Sequence, residues 1–159
     1  MNSEQLLRQV ELVRAITLTA FDHLDEELAD RQPAGFPNNI RWNLGHILIT
    51  QEQLATHFAG MEPQLPPEYL RWFGNKTKPS DWTETTPTLQ ELKHRLQIQT
   101  AYICDKLGPR LDDPALKPFV RLGREMTTIG EVLTHSLYHE GLHQGAILGL
   151  RKAIAARNG

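Results

Sequence analysis

The stretch TIGEVLTHSLYHEGLHQGAILGLRKAIAAR, residues 128–157, decides the fold. It opens with a capping box, Thr128-Ile129-Gly130-Glu131, in which a threonine hydroxyl and a glutamate three residues on satisfy otherwise free amides. Ile129, Val132, Ile147, Leu150 and Ile154 then recur at helical spacing, which predicts one helix of about 45 Å ending near Arg157. On a helical wheel, His139 and His143 fall in the middle of that apolar face, one turn apart. They stand where core residues belong, and unpaired buried imidazoles cost on the order of 1–3 kcal/mol each.

Three more helices are predicted upstream. The first runs from about Ser3 to His23 on a stripe of Leu6, Val10, Val13, Thr17, Ala20 and Leu24. Asp25 to Ala29 adds a short turn before Pro33, Gly35 and Pro37 break the chain. The second begins at Asn38 or Asn39, either able to cap it, and ends around Gly60, with Pro63, Pro66 and Pro67 beyond. Arg41 and Glu52 lie together on one side of it. Asn43, Ile47, Thr50 and Leu54 lie on the other, and His46 sits on this uncharged arc, turned toward the interior or a cleft. The third opens with a second capping box, Thr88 to Glu91, and carries Leu89, Leu92, Leu96, Ile103 and Leu107 before Gly108-Pro109 stops it.

Four amphipathic helices predict an all-α four-helix bundle. The link of about 27 residues between the second and third exceeds the 2–8 that join antiparallel neighbours. It is expected to cross the bundle and leave those two helices parallel, an up-down-down-up order. Tyr69, Trp72, Phe73 and Trp82 within it are too much aromatic surface for a loose tether.

At 159 residues and a net charge of −2, the chain fits a single domain over 1–159. The weakly acidic balance, with no basic run, argues against a nucleic-acid partner. No apolar stretch reaches the roughly 20 residues that span a bilayer, so no membrane partner is expected. Met1 to Arg14 alternates charge with leucine and lacks a signal-peptide core. The single cysteine, Cys104, excludes an intrachain disulfide and reads as a partly buried helix residue. A reducing cytoplasm is the expected compartment.

Two imidazoles at i and i+4 can hold one metal ion, and His46 from another helix would complete a three-histidine site with an open position. The competing reading is a set of hydrogen-bonded core histidines. One divalent ion per chain is expected, zinc by ligand type, with nickel or another ion as alternatives. His135 lies about 12 Å from His143 along the axis and cannot share a mononuclear site; it reads as a supporting or bundle-edge residue. His57 is three turns from His46, and His23 and His94 read as solvent-facing. Glu140 with His143, and Glu91 with His94, match the Glu-x-x-His spacing of di-iron bundles. Glu91 and His94 lie opposite the leucine stripe, however, so the dinuclear reading falls.

Asn43, Thr50 and Gln53 share the face of His46 and could orient water or substrate. Glu140 reads as a general base or a surface carboxylate. An ion held by three neutral ligands keeps its full charge and lowers the pKa of a bound water or thiol. Thiol transfer to an electrophilic carbon, or hydrolysis, would follow. Gly141, Gly145 and Gly149 recur every four residues away from this face, at about 1 kcal/mol each relative to alanine. They predict close contact with a neighbouring helix or a second copy of the chain.

Trp42-Asn43-Leu44-Gly45-His46-Ile47 and His135-Ser136-Leu137-Tyr138-His139-Glu140-Gly141-Leu142-His143-Gln144-Gly145 together resemble the DinB-like (DinB/YfiT) superfamily of metal-dependent enzymes. The resemblance implies a four-helix bundle with parallel second and third helices, often a homodimer. It implies a divalent metal, commonly zinc or nickel, on His46, His139 and His143. Its members include S-transferases using bacillithiol or mycothiol, a mycothiol-dependent maleylpyruvate isomerase, and damage-inducible proteins. Many read His-His-Arg-Gly-Gln around the last ligand. Here Leu142-His143-Gln144-Gly145-Ala146 keeps the ligand and changes its polar neighbours. The expectation is a thiol-dependent S-transferase or a hydrolase acting on a small molecule, with a low-molecular-weight thiol as possible co-substrate. The alternative is a metal-binding stress-response or scaffold protein without turnover.

Overall fold

The computed structural model describes residues 2–156. In chain order its helices are α1 (Ser3–Thr19), α2 (Glu26–Asp30), α3 (Ile40–Ala59), α4 (Glu68–Phe73), α5 (Leu89–Leu107) and α6 (Ile129–Ala155). Arg157, where the last helix was expected to end, lies outside the described residues. The predicted caps form at three of the long helices. Asn39 accepts from the Trp42 amide at 2.8 Å, Gly60 closes α3 with φ of 67°, and Thr128 and Glu131 cap α6 reciprocally. At α5 the Thr88 hydroxyl accepts from the Glu91 amide at 3.2 Å, while the Glu91 carboxylate turns to the Tyr69 hydroxyl at 3.0 Å.

The helices α1 and α3 each pack against α5 and α6. Two apolar clusters fill the interior. One gathers Ile40, Leu44 and Leu48 of α3 with Phe73, Leu92, Leu96, Ile147 and Leu150. The other gathers Leu6, Val10, Ala55, Ala59, Ile103, Leu107, Ile129 and Leu133. Each long helix passes from one cluster to the other through polar residues. Arg14, 2% exposed, bonds Glu140 at 2.8 and 3.2 Å, the Leu96 carbonyl at 2.7 Å, the Thr100 hydroxyl at 3.0 Å, and the Gln51 amide oxygen. One guanidinium thus ties all four long helices. Contacts around α3 and α5 also run in one order along both: Arg41 with the Pro87 carbonyl, the Leu48 carbonyl with Gln99, and the Ala59 carbonyl with Arg110.

The fold is mostly helical rather than all-α. The link between α5 and α6 folds into an antiparallel pair, β1 (Pro114–Arg121) and β2 (Arg124–Thr128). Its turn, Leu122-Gly123, has φ of 49° and 74°, the geometry of a tight hairpin. A lone two-stranded pair is marginal and needs a surface to cover one face. Phe119 supplies that contact, with its ring 5.3 Å from Phe58 of α3 and 4.8 Å from His135 of α6.

The charged side of α3 is not a solvent face. Arg41 is buried against Glu26 at 2.5 Å and Asp30 at 2.6 Å, both from α2. Glu52 is buried too, accepting the amides of Gln64 and Leu65. The aromatic link does pack as expected: Tyr69 and Phe73 are fully buried, and Trp72 and Trp82 pack against the same cluster. Among the described residues, the expected neighbouring helix is absent along the α6 glycines. Among those residues a Cβ on Gly141 or Gly145 would meet nothing within 4 Å, and one on Gly149 would meet Phe36, at 3.7 Å. Among the described residues no helix is long and apolar enough to cross a membrane.

Candidate metal centre

The α3–α6 contact brings together the three histidines singled out from the sequence. One ring nitrogen from each of His46, His139 and His143 lies within 4.8 Å of the others. Ring centroids are 5.1 Å apart for His46 and His139, 4.8 Å for His46 and His143, and 4.6 Å for His139 and His143. Helical period explains the last pair, since i and i+4 share a face. The approach of α3 explains His46.

Which nitrogen faces inward follows from the hydrogen bonds. His46 Nδ1 sits 2.6 Å from the Phe73 carbonyl, a pure acceptor, so Nδ1 carries the proton and Nε2 keeps its lone pair. His143 Nδ1 sits 2.8 Å from Asn43 Oδ1. The Asn43 amide is oriented by Nδ2 donating to the Asn39 carbonyl at 2.7 Å, so Oδ1 accepts and His143 Nδ1 donates. Such outer contacts fix tautomer and ring direction in metal-binding histidines. Trp42 covers His46 with a nearly parallel ring, centroids 4.4 Å apart and planes at 13°.

Electrostatics keep these rings neutral. Burial lowers the pKa of His46. Burial first, and then His46 and His135, push His139 down to about 4. Burial, then His139 and His46, push His143 down to about 3. Neutral imidazole is the form that binds a cation. A tetrahedral ion with bonds near 2.05 Å requires ligand nitrogens about 3.4 Å apart, so from separations within 4.8 Å the rings need close by at most about 1.4 Å. In donor type and spacing, and for His46 and His143 in tautomer, the residues fit a divalent ion.

The other candidates are placed as follows. Asn43 acts on His143 rather than facing open space, a contact between residues 100 apart in the chain. The Thr50 hydroxyl is 3.4 Å from His46 Nε2. Gln53 is half-buried, and among the described residues no side-chain hydrogen bond links it to the histidines. Glu140 is 2% exposed, so its reading as a surface carboxylate is corrected. It points toward α1, accepting from Arg14 and from the Thr17 hydroxyl at 2.5 Å. His135 lies outside the cluster, between Phe119 and Tyr138. Glu91, His94, His57 and His23 are exposed, as the argument against a dinuclear site requires for the first two. Burial, and secondarily Glu11, raise the Cys104 thiol pKa, away from a reactive thiolate.

Sequence reasoning placed Phe73 in the packed link and missed its role beside His46. Its carbonyl orients His46, and its ring lies so close to Gly45 that a Cβ there would fall 2.6 Å from Cδ2. Leu44-Gly45-His46 held a signal for this: a glycine inside a buried helix often marks close approach of another group.

A family model described as the DinB superfamily matches residues 9–147, a span holding all three histidines, Asn43 and Phe73. No curated protein matches the chain.

Proposed function

The chain belongs to the DinB superfamily, and from that premise we propose a metal-dependent enzyme acting on a small molecule. In this reading His46, His139 and His143 hold one divalent ion, zinc by ligand type, with nickel or another ion as alternatives. The reaction is thiol-dependent S-transfer or hydrolysis. One observation carries the proposal: two of the three rings donate Nδ1 to oxygen acceptors while a nitrogen from each of the three lies within 4.8 Å of the others. A core that merely satisfied its histidines would have no reason to turn those nitrogens on one another.

A divalent ion there supplies a positive charge and an open position, which acidify a water or thiol brought to it. The chain supplies the rest. Trp42 walls the site beside His46, the Phe73 carbonyl and Asn43 hold ring directions, and the Thr50 hydroxyl is placed to meet what enters. The Arg14 contact occupies both Glu140 oxygens, so we read Glu140 as holding α6 in register rather than as a general base.

The up-down-down-up crossover belongs to this reading, supported by the shared order of contacts along α3 and α5. So do a cytoplasmic location, which suits a thiol co-substrate, and a homodimer. Gly141, Gly145, Tyr138, Leu142 and Leu148 leave an uncovered face on α6 for a second copy. Sedimentation velocity of the wild type and of Gly145→Arg tests the dimer, with a shift to monomer expected in the variant.

Turnover is tested with metal-loaded protein and monochlorobimane in the presence of several low-molecular-weight thiols, alongside simple esters. Thiol-dependent conjugation or ester cleavage that disappears in His143→Ala supports the enzyme. Stoichiometric metal with neither reaction favours the non-catalytic alternative.

A further inference from the structure

We propose that Arg121 and Arg124, at the tip of the β hairpin, form an anion-recognising rim over the three-histidine centre and select small molecules that carry a carboxylate. This rests on the metal reading above.

Side chains alternate along a strand, and directly paired residues share a face. Phe119 and Arg121 therefore point the same way, with their cross-strand partners Met126 and Arg124. Phe119 shows which way that is. Its ring lies on Phe58 of α3 and His135 of α6, while Val120 and Glu125, on the opposite face, are exposed. The two arginines thus extend from the face that covers the helices supplying the histidines.

Distance along the elements places Arg121. Two strand residues beyond Phe119 advance about 6.6 Å. Four helix residues beyond His135, reaching His139, advance about 6 Å. The hairpin base and the start of α6 lie together, the Ile129 amide donating to the Asp113 carbonyl at 3.0 Å, and Phe119 lies on His135, so β1 runs the same way along α6 and Arg121 lies toward His139. Its charge also reaches His135, whose pKa is lowered first by burial and then by Arg121.

Neither arginine side chain has an ion pair or hydrogen bond among the described residues. Nearby acids are otherwise engaged or face away. Glu131 accepts from Thr127 and Thr128, Glu140 from Arg14 and Thr17, and Glu125 projects from the outer face. Like charges directly opposite on paired strands destabilise the pair. Arg121 and Arg124 are so opposed, and an anion between them removes that cost. Guanidinium forks match a carboxylate in two parallel hydrogen bonds. A carboxylate-bearing molecule held by this rim would present its other end to the centre.

The test uses the full chain loaded with Co²⁺, whose visible absorption reports ligands entering the site. Malonate is titrated against uncharged malonamide, in the wild type and in Arg121→Met. We expect malonate to alter the wild-type spectrum, malonamide not to, and the malonate affinity to fall at least tenfold in Arg121→Met at unchanged Co²⁺ stoichiometry. Equal malonate affinity in both proteins overturns the rim and leaves the metal reading standing. Failure of the wild type to bind Co²⁺ overturns the metal reading, and the rim with it.

Discussion

Replacing Gly45 with alanine should weaken metal binding without touching a ligand. In a helix interior this change ordinarily stabilises by about 1 kcal/mol. Here the new Cβ would fall 2.6 Å from Phe73 Cδ2. Phe73 Cγ and Cδ1 would lie closer still, and carbon contacts are comfortable near 3.5–4.0 Å, so the ring must retreat by at least about 1 Å. Phe73 is fully buried, and overpacking of this kind costs about 1–3 kcal/mol. Set against the helix gain, the net loss is about 1 kcal/mol, or roughly 2–4 °C in Tm for a chain of this size. The larger effect falls on His46. A retreat of about 1 Å, taken along the Phe73 carbonyl contact, stretches it from 2.6 Å to a separation at which no hydrogen bond remains. Losing such an outer contact typically weakens metal affinity 10–100-fold. Melts of the metal-free protein and zinc competition against a chromophoric chelator read the two effects separately. A Gly45→Ala protein that melts above the wild type, or binds zinc equally tightly, would refute this chain of reasoning.

Other residues give independent tests. Asn43→Leu should lower zinc affinity about 10–100-fold by freeing the His143 ring, with helical circular dichroism retained; undiminished affinity would show that the amide does not orient that ring. Glu140→Gln leaves the Arg14 charge buried without its partner and should cost about 3–5 kcal/mol in urea unfolding. Intact stability with lost turnover would instead restore Glu140 as a general base. The metal-free protein should be fully stable above about pH 6.5 and lose stability as pH falls toward 4, because the unfolded chain takes up protons on His139 and His143 before the folded one does. Denaturation midpoints across that range should fall less steeply in a His139→Gln/His143→Gln double variant, and equal slopes would count against buried neutral rings.

Much of this arrangement was legible because helical period is a strong signal. The stripe of α6 placed His139 and His143 on one face, and the uncharged arc of α3 turned His46 inward. Two features escaped for physical reasons. Arg41 and Glu52 mark a side of α3 that is buried, because α2 and the aromatic link bring Glu26, Asp30 and backbone amides to meet them. Periodicity in one helix says nothing about partners elsewhere in the chain. The β hairpin was passed over because its short strands alternate weakly and depend on Phe58 and His135 for cover. The Leu122-Gly123 turn was its best local clue. Phe73 acts on His46 through a backbone carbonyl, a group every residue has, so no residue type could announce that role.

The central claim is that imidazoles from α3 and α6 hold one cation between them. Elemental analysis of tag-free protein, purified without chelators and dialysed against trace zinc, tests it most directly. The account predicts about one divalent ion per chain in the wild type and essentially none in His46→Ala, His139→Ala or His143→Ala, each still helical. Wild-type protein that retains no ion, or a His46→Ala variant that retains a full one, would contradict it.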